Sequence, residues 1–450
     1  MGFILYGVAL GNLFGLTAKK VLTFFKKYVK MKKSGFFREM EEVMEYTKDL
    51  EIFAWSVRGV DMPPAEKIKE WRELGLTLMI AHSNKDSWSV THELLKEAEA
   101  QGMRLIVEDW ESSVYNLIIN GEEHYRESIA ALVAEFGGYP AAFGLYVADE
   151  PDADNVEATL KAVRIIQEIA PHMTAYVNLL PWFDWIGERM GTDAYAPYLD
   201  RVVAGGAKVL SYDCYAQMYA NKVGYDDYFN NIREHMLASK RNGVPFWNVV
   251  LCTGHYDYRC PSKDDLIWQM NTSVISGAKG IGWFIIDDPD GGQNYKNPPI
   301  NLLGERTPEF YTLGEVNRCF NEYFGRIFSA LQIDECYHVN KAYGGMPLFK
   351  PFSCVTEIEE RNNLPLIASS FHDSEGGRYF AICNNTPDET ASVSLRIKND
   401  CEIERCYFGN RFAPPSSLTD PVGERYNKGG DTKTYTFFMS PGQIALFREK

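Results

Sequence analysis

Gly144-Leu145-Tyr146-Val147-Ala148-Asp149-Glu150-Pro151 is the stretch on which the fold turns, because it alternates bulky aliphatics with other residues and ends on two carboxylates and a proline. Alternation at period two marks a strand, whose successive side chains point to opposite faces. On that pattern Leu145 and Val147 face covering helices. Gly144, Tyr146, Ala148 and Glu150 then face inward, and Pro151 stops the strand.

Outward from this stretch, seven more apolar runs recur, giving eight in all: Glu51–Val60, Leu76–His82, Arg104–Asp109, Phe143–Glu150, Met173–Leu180, Lys208–Tyr215, Val244–Cys252 and Gly280–Asp287. Their starts lie about 33 residues apart on average, which matches the βα unit of a closed barrel. Between them Ala65–Leu74, His92–Gln101, Val156–Ala170, Asp226–Asn242 and Asp264–Ser276 carry apolar residues at helical spacing. Gly75, Gly102, Gly243 and Gly277 stand where helices end, as left-handed caps require. The expected fold class is therefore α/β, a (β/α)8 TIM barrel over residues 35–333. An open doubly wound sheet would carry a glycine-rich phosphate loop after a strand, and the sequence has none.

From about residue 334 to 450 the pattern changes to short alternating strands, among them Arg378–Cys383, Ala391–Ile397, Thr434–Met439 and Gln443–Arg448, with turns at Asn384-Asn385-Thr386-Pro387 and Ser440-Pro441-Gly442. A C-terminal antiparallel β-sandwich follows. Residues 1–34 form an N-terminal extension: Phe3–Leu16 is apolar but short for a bilayer span, and lysines at 19, 20, 26, 27, 30, 32 and 33 follow it. Packing on the barrel is the expectation there, with contact to an anionic membrane surface as the alternative.

Two domains suit a chain of 450 residues. A net charge of −15 and a pI near 5.1 argue against nucleic acid as a partner. Nine cysteines without regular spacing indicate neither a disulfide framework nor a zinc site, and they lean the expected location toward a reducing, cytoplasmic compartment, with secretion or membrane association as the alternative.

Barrel enzymes carry their chemistry at the C-terminal ends of the strands. Those ends here gather Arg58 and Asp61, His82 and Asn84, Glu108 and Asp109, Asp149 and Glu150, Asn178, Asp213 and Tyr215, His255, then Asp287 and Asp288. Aromatic residues make up 14% of the chain, which suits a site that stacks sugar faces and bonds their edges.

The segment Pro140–Pro151 resembles the strand-four motif of clan A glycoside hydrolases, in particular barrel proteins similar to the β-galactosidase branch in which Asp-Glu-Pro replaces Asn-Glu-Pro. Ser211-Tyr212-Asp213-Cys214-Tyr215, Ser276–Phe284 and Ser440–Phe447 fit the same group, so the resemblance covers roughly residues 51–450. It implies that Glu150 is the acid/base and that Asp149 sits where the clan's Asn touches the sugar. It also implies a carboxylate at the end of strand seven, yet that stretch reads Trp247-Asn248-Val249-Val250-Leu251-Cys252-Thr253-Gly254-His255.

Three readings stay open at that point: another strand end supplies the second carboxylate, the reaction inverts, or the barrel only binds glycans. Glycoside hydrolysis needs a protonated acid and a second carboxylate. Asp213, in an aromatic setting with Tyr212 and Tyr215, is preferred for the second role over Asp109 and Asp287. Glu150 is expected neutral and Asp213 ionised. Asp149, His82, Asp109, Asn178, Trp182, Tyr215, His255, Trp283 and Asp287 are the expected substrate contacts, with Trp55 a further stacking candidate. Cys252 is expected in the core. A metal-dependent hydrolase or isomerase could draw ligands from His82, Asp109, Glu150, Asp213, His255 and Asp288, but the His-x-His of such barrels is replaced by Trp55-Ser56-Val57-Arg58, so no metal and no cofactor is expected.

Overall fold

The computed structural model describes residues 49–59, 61–415 and 425–450, with 425–429 described by their backbone. The expected N-terminal extension lies outside the described residues, and with it the membrane question; among the described residues no helix is long and apolar enough to cross a membrane.

Eight parallel strands form the barrel wall: β1 (Glu51–Ala54), β2 (Leu78–His82), β3 (Arg104–Glu108), β4 (Ala142–Asp149), β5 (Thr174–Leu179), β6 (Leu210–Asp213), β7 (Phe246–Leu251) and β8 (Gly280–Phe284). From β2 onward each pairs with the next in order, and β8 pairs with β1 through Glu51↔Gly280 to Ala54↔Trp283. The β1–β2 seam is closed by Thr77, whose N–H donates to Ile52 O at 2.8 Å and whose hydroxyl accepts from Ile52 N at 2.9 Å.

Eight helices cover the wall: α1 (Pro64–Glu73), α2 (Trp88–Ala100), α3 (Val114–Phe136), α4 (Val156–Ile169), α5 (Tyr195–Ala204), α6 (Tyr225–Asn242), α7 (Lys263–Ile275) and α8 (Pro308–Phe320). Phe53, Leu78, Ile80, Ile106, Tyr176, Val209, Trp247 and Val249 fill the barrel interior. Glycines on β8 make that filling possible, since a Cβ on Gly282 would lie 2.6 Å from the Phe53 ring. The four glycines expected as caps all take positive φ, and Gly243 closes α6 in the left-handed region.

The C-terminal domain is a two-sheet sandwich. Its strands are β9 (Gln332–Val339), β10 (Val355–Glu360), β11 (Leu366–His372), β12 (Arg378–Asn384), β13 (Ala391–Lys398), β14 (Ile403–Tyr407), β15 (Arg411–Ala413), β16 (Arg425–Gly429), β17 (Thr432–Met439) and β18 (Ile444–Glu449). One sheet runs β9-β11-β12-β18-β14-β15 and the other β10-β13-β17-β16. Alternate residues of both meet in a core that includes Leu366, Phe380, Phe447, Leu395 and Phe437.

The sandwich docks on α7, and this explains why that helix is buried almost all round rather than on one stripe. Trp268 Nε1 donates to Asn385 Oδ1 at 3.0 Å, and Asn271 Nδ2 donates to Gly442 O at 2.8 Å. Gly442 is required there, because a Cβ would sit 2.7 Å from the Trp268 backbone.

Candidate active site

The mouth is built by strands β4, β5 and β6. Strict alternation along β4 predicted Glu150 on the inner face, but the strand carries a bulge. Tyr146 pairs with Tyr176, Ala148 with Val177 and Asp149 with Asn178, so Val147 is the extra residue. One inserted residue reverses which side chains face in. Asp149 therefore shares the inner face with Asn178, while Glu150 leaves the strand at φ +44°, its N–H donating to Asn178 O at 2.8 Å.

Asn178 is the centre of the arrangement. Its amide nitrogen donates to Asp149 Oδ1 at 3.1 Å and to Asp213 Oδ1 at 2.7 Å, while its carbonyl accepts from Ser211 at 3.2 Å. Two donations from one amide hold the two accepting oxygens within about 5 Å of each other, given the spread of its hydrogens. Tyr176 and Ser211 share a hydrogen bond at 3.0 Å beneath, which fixes Asn178 from the barrel interior. Glu150 faces Arg189, on a short turn after β5, at 3.2 Å.

Burial acts hardest on Asp213, which is 9% exposed. Desolvation, then the charges of Glu150 and Asp149, push its carboxyl well above the usual range, against hydrogen bonds from Asn178 and Tyr215. Asp149 rises to about 6 by the same desolvation, opposed by Asn178; it stands open to solvent at the mouth yet is walled by protein on its other sides. Glu150 also rises through desolvation, with Arg189 opposing. The expected rise of Glu150 is present, but the expected ionised Asp213 is corrected: as the most enclosed carboxyl it is pushed upward too.

Rings line the rest of the mouth. Trp55 meets Tyr146 edge-on at 5.8 Å, Tyr215 stacks on Phe284 at 5.7 Å, and His255 stacks on Tyr295 at 5.3 Å while meeting Tyr215 edge-on. Burial lowers the His255 pKa, so that imidazole is neutral. On the β2–β3 side His82 Nδ1 lies 2.8 Å from Glu108 and Nε2 2.7 Å from Ser56 O. Both ring nitrogens face acceptors, which favours the imidazolium, and the hydrogen bond to Glu108 raises the His82 pKa.

Two solved structures share this architecture across nearly the whole chain. A glycoside hydrolase superposes with a TM-score of 0.52 at 11% identity, over 89% of this chain and 92% of its own. A family 5 glycoside hydrolase from Bacteroides vulgatus ATCC 8482 does so with a TM-score of 0.52 at 10% identity, over 89% of each chain. What the chain shares with them is the fold, a parallel (β/α)8 barrel. No protein-family model matches the chain, and no curated protein does.

Asp149, Glu150, Asn178, Asp213 and Tyr215 thus come together, with His255 one ring away and His82 on the β2 side of the mouth. Four expected contacts do not join them. Trp283 is fully buried and faces outward, its indole donating to Asn317 at 2.9 Å, because β8 turns its glycines inward. Asp109 accepts from Trp88 Nε1 at 2.9 Å and from Glu111 N at 3.0 Å, so it pins α2 and the turn after β3. Asp287 accepts from the Ser56 hydroxyl, from Val57 N at 3.0 Å and from Arg58 N at 3.2 Å, tying β8 to β1. Trp182 stacks on Tyr195 of α5 at 5.7 Å.

Asp288, considered as a ligand, accepts three backbone N–H groups of its own loop. Cys252 is in the core as expected, donating with Thr253 to Ile285 O, so the strand-seven position holds no charge. Arg189 and Phe284 were missed; Arg189 lies on a one-turn helix (Gly187–Met190) too short to show a pattern, and Phe284 reads in sequence as one more apolar strand residue.

Proposed function

We propose that this chain cleaves O-glycosidic bonds of an oligo- or polysaccharide by carboxylate acid/base catalysis, with Glu150 and Asp213 as the working pair and no metal or cofactor in the reaction. The observation that carries the reading is the acidic cluster of Asp149 and Asp213, joined by one amide, with Glu150 beside them, in a mouth walled by aromatic rings. Its Asp149-Glu150-Pro151 motif further supports the β-galactosidase-like branch.

Asp213 holds the proton in the resting site and gives it to the glycosidic oxygen as the bond from C1 to that oxygen breaks. Glu150, beside Arg189, takes a proton from the water that attacks C1. The product then has inverted configuration. Asp149 and Asn178 bond sugar hydroxyls, and Trp55, Tyr146, Tyr215 and His255 offer ring faces or edges.

The test is turnover on a panel of aryl glycosides and plant or host polysaccharides, with product configuration read by NMR. Asp213→Asn is expected to lower kcat by roughly 10² to 10⁴ on substrates with poor leaving groups and far less on activated aryl glycosides, whereas Glu150→Gln lowers both. The opposite pattern would exchange the two roles, and wild-type turnover by both variants would end the assignment. The uncharged strand-seven position favours one second reading, a barrel that binds glycans without cleaving them; saturable binding with no product on any substrate would select it.

A further inference from the structure

The sandwich holds a second group of chemistry-bearing side chains, outside the barrel and independent of its reaction. Cys354 precedes β10, Cys401 precedes β14 and Glu449 ends β18, and one donor atom from each lies within 4.8 Å of the other two. The backbone sets this convergence. Lys398 N–H donates to Cys354 O at 2.9 Å, Cys401 N–H donates to Lys398 O at 3.2 Å, and Glu449 pairs with Ile403, two residues past Cys401.

Cys354 N–H donates to Glu449 Oε1 at 3.4 Å, and the two thiol sulfurs lie within 4.8 Å of each other. Cys354 is buried in the sandwich core, while Cys401 and Glu449 are half-buried, which leaves one side open to ions. Two thiols alone would pass as core filling. A carboxylate turned onto them is a poor apolar contact and a good donor set. The nearby ammonium of Lys433 donates to Cys401 O at 2.8 Å and pairs with Glu402; Asp400 adds a further negative charge beside Cys401.

We propose that Cys354, Cys401 and Glu449 bind one soft divalent transition metal of the zinc type, with water in the fourth place. Thiolate sulfur with a carboxylate oxygen is a set such ions take in tetrahedral geometry. On binding, each thiol loses its proton to solvent and forms a metal–sulfur bond, so two protons leave and the dithiolate-carboxylate cluster keeps one net negative charge. Cys354 leads into the four-stranded sheet, whereas Cys401 and Glu449 belong to the six-stranded one, so the ion ties the two sheets together.

The experiment uses the full chain, reduced and stripped with a chelator, titrated with cobalt(II) and then displaced with zinc(II). Expected are a thiolate-to-cobalt charge-transfer band saturating at one equivalent and release of about two protons per ion. The band vanishes in Cys401→Ser, binding weakens roughly tenfold or more in Glu449→Gln, and the exposed Cys319→Ser control is unchanged. Cys401 and Glu449 are only half-buried, and unaltered circular dichroism in both variants certifies that they fold. No charge-transfer band, an equal band in Cys401→Ser, or a mass lower by two hydrogens from a Cys354–Cys401 disulfide in place of metal uptake would each overturn the proposal.

Discussion

Replacing Asp149 with Asn removes one charge from the cluster while keeping the side chain's shape and an oxygen for the Asn178 amide. The carboxyl of Asp149 is raised from 3.8 to about 6, chiefly by desolvation. A raised folded-state pKa means that the folded protein holds this proton more tightly than the unfolded chain does. The contribution to stability is therefore fully present below pH 3.8 and is lost as pH rises through about 6. Two units would correspond to about 3 kcal/mol for an enclosed group, but Asp149 opens to solvent, and screening reduces the effect to the order of 1 kcal/mol. Asp149→Asn escapes that loss. Relief of its repulsion on Asp213 acts in the same direction. The variant should match wild type near pH 4 and exceed it by about 1 kcal/mol at pH 8, read from urea midpoints across that range. A variant less stable than wild type at pH 8, or a difference that does not change with pH, would refute the account of the mouth as a desolvated acid cluster.

Arg189→Ala should raise the pKa of Glu150 further, because the guanidinium opposes desolvation there, and should move the acid limb of the kcat/KM profile to higher pH; an unmoved limb would detach Glu150 from the chemistry. Trp283→Phe should cost about 2 kcal/mol through the orphaned Asn317 oxygen and the lost packing, with KM unchanged, since this side chain faces helix α8; a raised KM would return it to the site. For His82 the raised pKa contributes stability below the unfolded value of 6.5 that fades as pH climbs through the folded value. His82→Gln should therefore destabilise at pH 5.5 and do little at pH 9, by thermal melts at both; equal losses would mean a neutral ring.

All eight barrel strands were legible, because a buried parallel strand reads as a short apolar run and glycine marks the helix end before it. Their lengths were overread: within Glu51–Val60 the strand runs only to Ala54, and residues 55–59 are loop in which the apolar Val57 is exposed. Helices α3 and α5 escaped because α3 is broken at Gly121, with φ +81°, and α5 is short and begins on Tyr195-Ala196-Pro197. In the sandwich, Ala391–Lys398 alternates buried and half-buried residues and was found, whereas the edge strand Gln332–Val339 mixes exposed charges into its pattern and was not. At the site the residue types could be read but their aim could not. A bulge at Val147 leaves no mark in composition, yet it exchanges Asp149 for Glu150 on the inner face.

That exchange bears on how the barrel manages without a carboxylate on β7. Asp149, Asn178 and Asp213 occupy adjacent strands, so their backbones span about 10 Å of one wall, two strand spacings, rather than facing across the axis. Glycoside cleavage passes through an oxocarbenium-like state whose positive charge must be met where it develops. On the proposed function, the wall bearing Asp149, Glu150 and Asp213, of which Asp213 is the most enclosed, meets that charge. On the β2 side of the mouth His82 lies between Glu108 and Ser56 O. Cys252 and Thr253 follow β7 without a charge, and the rings of Trp55 and Phe284 stand at the ends of β1 and β8. On the proposed function, Asp213 on β6 supplies the second carboxyl that the end of β7 lacks.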